Sequence, residues 1–462
     1  MRGSITALAL AATFAAPAAA KDASSQAQAQ ALDLLKRGLA FRTVAGPGNQ
    51  TPEYATMLRD ALIAGGFAPS DVTITRLDDT AYLVARYPGT EGTKLKPIGI
   101  VGHMDVVEAR RADWERDPFT PVIENGYIYG RGATDMKYDL STMVASLIEL
   151  KREGFRPKRD ILLFASGDEE TSMKTTAALA AKYHDLDLLL NIDAGGGHYS
   201  EAGKPDTFGL QAAEKTYADI DVTVTDPGGH SSAPRPVNAI VTLSRALERI
   251  GAYRFPAEIN EITRISLAAA AQGEEPEVAD AIRAFLVDQT DAKALAVLRA
   301  RPALVGQIGT TCVPTMVTAG HAPNALPQRA SANVNCRIFP GTTIESVVAT
   351  LTKVAAEPSV TVTYKPSGTI VSPASPLRPD VMKAVSAAVL ARFPAVKVVP
   401  GMSAGATDSM HFRARGVPSY GISPIFMKDS DSFSHGLNER TPLSELGPSV
   451  TYYKRVLADL AR

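Results

Sequence analysis

Acids and imidazoles gather at the ends of apolar runs in this chain. IGIVG leads into His103-Met104-Asp105, ILLFASG into Asp168-Glu169-Glu170, and LLLNI into Asp193. Asp135 follows the tight turn Gly130-Arg131-Gly132, and His435 lies in SFSHGLN after the last strand-like run. Taken singly, each has a bland reading. A lone His-x-Asp is usually a hydrogen-bonded pair, Glu169-Glu170 a solvated loop, and Asp193 before three glycines a turn residue. Taken as a set, they point to one place, because open α/β sheets bind ligands outside the carboxyl ends of their strands. Several carboxylates buried near one another are very costly unless cations neutralise them. Imidazole with carboxylate suits zinc, and neither cysteine is placed to help. One acid from each of the last two runs, with His103, Asp135 and His435, makes five ligands. Five are too many for one catalytic zinc and suit two metals sharing a bridging acid.

A rival chemistry is also written in the chain. Gly401-Met402-Ser403-Ala404-Gly405 fits a nucleophile elbow, and the strand-like run AVKVV precedes it. Asp408 or Asp431, then His435, would complete the order Ser, Asp, His. This serine-hydrolase reading leaves His103, Asp135, Glu170 and Asp193 unexplained. A non-catalytic binding protein on the same scaffold would be expected to lack Glu169, which is present.

The elements that must position these residues are α/β. The apolar runs are continuous, which suits strands of a mostly parallel sheet buried on both faces. Helical patterns cover 23–42, 51–65, DLSTMVASLIELKREG and RPDVMKAVSAAVLARF. Near residue 214 the style changes. ADIDVTVTDPG alternates, as a strand with one wet face does, and helices follow at about 237–250, 274–304 and 343–356. That stretch reads as an α+β domain inserted into the first. Two domains are the natural expectation for 462 residues. A formal net charge of −1 excludes a strongly basic nucleic-acid or anionic-membrane binder.

The N-terminus MRGSITALALAATFAAPAAAKD has Arg2, an apolar stretch and small residues ending at Ala20. This is the pattern of a signal peptide cleaved after Ala20, so the protein is expected in the periplasm or outside the cell. No later stretch is long and apolar enough to span a membrane. Cys312 and Cys336 sit on two strand-like runs joined by HAPNALPQ. A disulfide and two buried thiols are both compatible with that, because sequence does not fix strand register.

GHMDVV, GRGATDMK, GDEE, NIDAGG and SHGLNER, in that order, resemble the zinc carboxypeptidase and aminoacylase family. That family includes glutamate carboxypeptidase, carboxypeptidase S, aminoacylase and succinyl-diaminopimelate desuccinylase. The resemblance implies two Zn2+ ions, with cobalt or manganese as substitutes in vitro. His103 and Asp193 would hold one ion, Glu170 and His435 the other, with Asp135 between them and a cis peptide at Asp135-Met136. Asp105 would accept a hydrogen bond from His103, and Glu169 would be the general base. Pro227-Gly228-Gly229-His230-Ser231-Ser232 resembles the loop whose histidine stabilises the oxyanion, often from the partner subunit of a dimer. Asn324, Arg337 and Gly405 match substrate contacts, with Arg337 on the substrate's free carboxylate. The implied substrates are small peptides with a free C-terminus, or N-acyl amino acids.

The implied organisation is a signal at 1–20, a catalytic di-zinc domain at 21–214 and 368–462, and a lid or dimerisation domain at 215–367. The helical segment 274–304, NALP and VNCRI are most similar to the carboxypeptidase S branch, whose longer insert could serve its own subunit or cover a homodimer face. Tyr138 stands where many members have Gly, as a substrate contact or a packing residue. His184, His198 and His411 match no family role and are read as structural; His321 stays open.

Overall fold

The computed structural model describes residues 21–462, so the expected signal peptide lies outside the described residues. The largest sheet has ten strands. Its centre runs Ile161–Ser166, Ile98–His103, Leu188–Asn191 and Ser419–Gly421, parallel throughout. The continuous apolar runs are wholly buried there, as both-face coverage requires. One face packs on helices Ser25–Leu39, Lys137–Arg152, Pro379–Leu390 and Leu446–Leu460. The other packs on Lys174–Lys182 and Ser409–Arg413, through Leu179 and Phe412. Register fixes the consequence for function. Ser166 pairs with His103, and Asn191 with Val101, so His103, the 167–170 turn and Asp193 leave the same edge.

The flanks are antiparallel. Thr80–Tyr87 pairs with Ile161–Ser166, and the hairpin Gly196–Tyr199/Pro205–Glu214 extends the far side. Pro205–Glu214 was not foreseen. Lys215 alone separates it from Thr216–Thr225, the first strand of a second sheet.

That sheet is antiparallel, in the order Thr311–Ala319, Arg329–Ile338, Thr216–Thr225, Val360–Lys365. Helices Ala239–Ala252 and Ile344–Ala355 cover one face, and the alternation of buried and open positions follows the sequence pattern. Cys312 lies opposite Cys336 and is disulfide-bonded to it, which settles the question the sequence left open.

The helical stretch expected at 274–304 is three helices, Pro276–Val287, Ala292–Arg299 and Pro302–Val305. Asp288 turns the chain through Thr290, and Asp291 caps the helix that follows. A further helix, Glu261–Ala270, precedes them. Its Ile262 packs into the core of the large sheet, and Gln307 Nε2 donates to the Met402 carbonyl at 3.1 Å. This helical segment is therefore fastened to the large sheet. No helix of the described residues is long and apolar enough to cross a membrane.

Candidate metal centre

His103 ends a buried strand and is itself buried. Its Nδ1 lies 2.9 Å from the Asp105 carbonyl, which turns Nε2 toward Asp135 at 3.1 Å and Asp193 at 3.5 Å. Asp105 thus faces His103 as expected, with its carbonyl nearer than its carboxylate. That carboxylate stands 3.6 Å from Nδ1 and accepts instead from the backbone N–H of Glu169 at 3.1 Å and of Glu170 at 3.0 Å. A two-residue spacing lets the backbone oxygen reach the ring, which frees the side chain to hold the neighbouring turn.

Asp135 faces both imidazoles. Its Oδ1 is 3.1 Å from His103 Nε2 and its Oδ2 is 3.2 Å from His435 Nε2. His435 Nε2 also lies 2.9 Å from Glu170. The five residues thus form two groups around one carboxylate: His103 with Asp193, and His435 with Glu170. Ligand atoms of His103, Asp135 and Glu170 all fall within 4.8 Å of one another. His435 has φ +61°, an uncommon backbone region for a residue other than glycine. The peptide Asp135-Met136 is cis.

Glu439 is the positioning residue that sequence reasoning missed. It is fully buried, and its carboxylate accepts from the backbone N–H of Gly132 at 3.0 Å, Thr134 at 2.7 Å and Asp135 at 2.9 Å. Arg131 closes the pair at 2.8 Å. The 130–135 turn is wrapped around this one acid, and its only sequence signal is the acid that follows SHGLN. Behind Asp193, Asn191 Oδ1 accepts the Asp193 N–H at 2.8 Å.

The electrostatics are those of a site short of positive charge. Burial pushes Glu169 well above the usual carboxylate range, raises Glu170, and lifts Asp193 to about 7. Burial works against Asp135 too, but hydrogen bonds from His103 and His435 outweigh it and hold Asp135 low. His435 is raised to about 10 by Asp135 and then Glu170. Acids and imidazoles crowded this closely, with His103 and Glu169 buried, are a donor set that fits divalent cations, which would take the place of the imidazole protons. A cleft of ≈ 350 Å³ opens on Asp135 and Asp193.

The remaining expected site residues fall into two places. Arg337 Nη1 donates to the Ala404 carbonyl at 3.1 Å, which brings Arg337 to Gly405. A Cβ at Gly405 would meet nothing closer than Ser403 Oγ at 3.5 Å, so bulk alone does not demand glycine there. His230 and Asn324 are brought together elsewhere: His230 pairs with Ala325, and Ser231 N–H donates to the Asn324 carbonyl at 3.0 Å. Both are exposed. Tyr217 pairs with Arg337 and Thr225 with Arg329, so eight strand residues, roughly 27 Å, separate Arg337 from the end of the sheet that carries His230. The hydrogen bonds of His230 and its loop go to Ser232, Asn324 and Ala233, and none goes to the five clustered residues.

The serine constellation does not assemble. Ser403 Oγ accepts from the Gly405 N–H, Asp408 is held by Ser166 and Thr176, and Asp431 is held by Tyr127 and Arg440. Tyr138 is buried with its hydroxyl 2.9 Å from Ser449, so it packs. His411 sits against the Gly368 carbonyl at 3.2 Å and His184 against the Ala181 carbonyl at 3.0 Å. His198, read as structural, stands on the wall of the cleft that holds Asp135 and Asp193. His321 is exposed.

Residues 99–459 match peptidase family M20/M25/M40. The chain is 26% identical over 386 residues to a probable carboxypeptidase S-like 2 of Dictyostelium discoideum, covering 81% of this chain and 73% of that protein. It is 28% identical over 377 residues to the N-fatty-acyl-amino acid synthase/hydrolase PM20D1 of Mus musculus, covering 78% of this chain and 73% of that protein. The fold is shared with an M20 family metallo-carboxypeptidase, Sso-CP2, from Sulfolobus solfataricus: TM-score 0.72, 18% identity, 93% of this chain and 98% of that one.

Proposed function

The chain belongs to peptidase family M20/M25/M40, and on that premise we propose a two-zinc hydrolase that cleaves an amide bond next to a free carboxylate, as a carboxypeptidase on short peptides. The observation that carries the reading is the Asp135 carboxylate, with one oxygen turned to each imidazole. His103 and Asp193 would hold one ion, His435 and Glu170 the other, with Asp135 shared. Two ions bound there would supply Lewis acidity and lower the pKa of the attacking water.

The chain's own residues do the rest. Glu169, held at the cluster by its N–H on Asp105, takes the proton of the attacking water and passes it to the leaving nitrogen. Arg337 orients the substrate through its carboxylate. The partner subunit's His230 reaches the carbonyl oxygen, with residues 215–367 as the unit that supplies the dimer face. The signal-like N-terminus favours a periplasmic or secreted protein.

The similarity to PM20D1 favours a second substrate class, N-acyl amino acids, at the same site. A mass-spectrometric screen of dipeptides and N-acyl amino acids with the zinc-loaded enzyme separates the two. Activity should be lost to a chelator and restored by zinc, and only substrates with an unblocked carboxylate should turn over. Cleavage confined to carboxylate-blocked substrates would sink the reading.

A further inference from the structure

The described residues include three lysines that are fully buried, Lys137, Lys215 and Lys454. Two are satisfied. Lys137 Nζ donates to the carbonyls of Gly38 at 3.1 Å and Phe41 at 2.8 Å, and Lys454 Nζ pairs with Glu153 at 2.8 Å. The Lys215 Nζ donates only to Thr311 Oγ1, at 3.4 Å. Glu258, the acid that acts on it through space, is held by Thr310 and Thr342. Burial, and then the charge of Arg337, push the Lys215 ammonium down to about 8.

Lys215 opens on a cavity of ≈ 460 Å³ that Arg337 and Ala404 also line. Its wall holds four cationic side chains, Lys215, Arg254, Arg299 and Arg337, and no acid. Burying an ammonium with no acid in direct contact is costly, and a cavity of this composition offers an anion two neighbouring cations and no lining acid. The cavity is tied to the metal cluster. Glu214, next to Lys215, accepts from Thr407 Oγ1 at 2.7 Å; Thr407 accepts from Asn191 at 2.9 Å; Asn191 holds the Asp193 N–H.

We propose that Lys215 and Arg337 together seat the substrate's free carboxylate, and that the adjoining wall of Tyr253, Phe255, Ile308 and Val313 receives the side chain of the residue bearing it. Lys215 is then a specificity-determining residue. This rests on the carboxylate role assigned to Arg337 above. The seat favours a bulky apolar residue at that position, and its surplus of positive charge disfavours a basic one.

The test uses zinc-loaded protein, with N-acetyl-phenylalanine, its amide, and free phenylalanine as probes. Lys215→Met should raise KM for N-acetyl-phenylalanine by about 10- to 100-fold with kcat little changed, the loss of a charged hydrogen bond. It should also raise the melting temperature of the ligand-free protein, because a buried ammonium with no direct ion pair has been removed, and abolish the thermal shift given by phenylalanine. Lys215→Arg should keep the low KM and the shift. A Lys215→Met protein that melts lower and keeps its KM would make Lys215 a structural residue and overturn the proposal. Arg337→Met separates the two ideas. If it raises KM while Lys215→Met does not, Arg337 stands and Lys215 falls. If neither raises KM, the carboxylate reading itself falls.

Discussion

Glu169 and Glu170 are adjacent, yet the structure treats them differently. Both backbone N–H groups are fixed by Asp105, one to each carboxylate oxygen, so the two side chains leave the same clamp in different directions. Glu170 reaches His435 at 2.9 Å. The side chain of Glu169 has no such imidazole partner, and burial raises its affinity for a proton, as a base that must hold one between two steps requires. Glu169→Ala should therefore bind both metals normally, as measured by elemental analysis, while kcat falls by at least about 10²–10⁴. Normal turnover in that variant would move the base elsewhere. A loss of metal would make Glu169 a ligand and reverse the division between the two glutamates.

At the scale of elements, the site is made by three strand ends, one turn and the loop that carries His435, and they were not equally legible. The strand ends could be read because both-face burial writes itself as unbroken apolar runs, with the acids placed where the runs stop. The second sheet could be read because one wet face writes itself as alternation. Asp105 could not, because a spacing of two does not say whether carbonyl or carboxylate reaches the ring. The cysteines could not, because one residue of slip in Thr311–Ala319 would have turned Cys312 away from Cys336. Pro205–Glu214 was hidden by its glycine and polar residues, and the 274–304 stretch was read through its two breaks. Glu439 was hidden most thoroughly, since a buried acid that binds backbone N–H groups looks in sequence like any loop acid. Its role belongs to the turn it organises. Glu439→Gln keeps the size but replaces one acceptor oxygen with a donor, facing three N–H groups that need acceptors. Metal affinity should fall by about 10- to 100-fold, read by competition with a chromophoric chelator, because Asp135 loses the support that aims it. An unchanged affinity would reduce Glu439 to a folding residue.

At the scale of the molecule, the question is how His230 could act on a cluster it does not touch. A swing of the second sheet within one chain would have to bring in the end of a strand that runs roughly 27 Å, eight strand residues, beyond Arg337. Such a swing is opposed by the helical segment, which plants Ile262 in the core of the large sheet and Gln307 on Met402. A second copy of the chain needs no such motion. The surface offers a place for one. Thr311–Ala319 is an edge strand with Val313, Met316 and Val317 exposed, and Ile240 and Val241 are exposed on the helix beside it. An unpaired apolar edge is a liability in water unless something covers it. If two chains meet there about a twofold axis, each site takes Glu169 from one subunit and His230 from the other. Glu169→Ala and His230→Ala should then each be nearly inactive alone. Mixed in equal amounts and allowed to exchange, they should recover about a quarter of wild-type activity, since half the dimers are mixed and one of their two sites is intact. Co-purification of differently tagged subunits establishes that exchange occurred. Mixed dimers without recovered activity would place His230 outside the chemistry, and a fully active monomer by light scattering would remove the need for a partner.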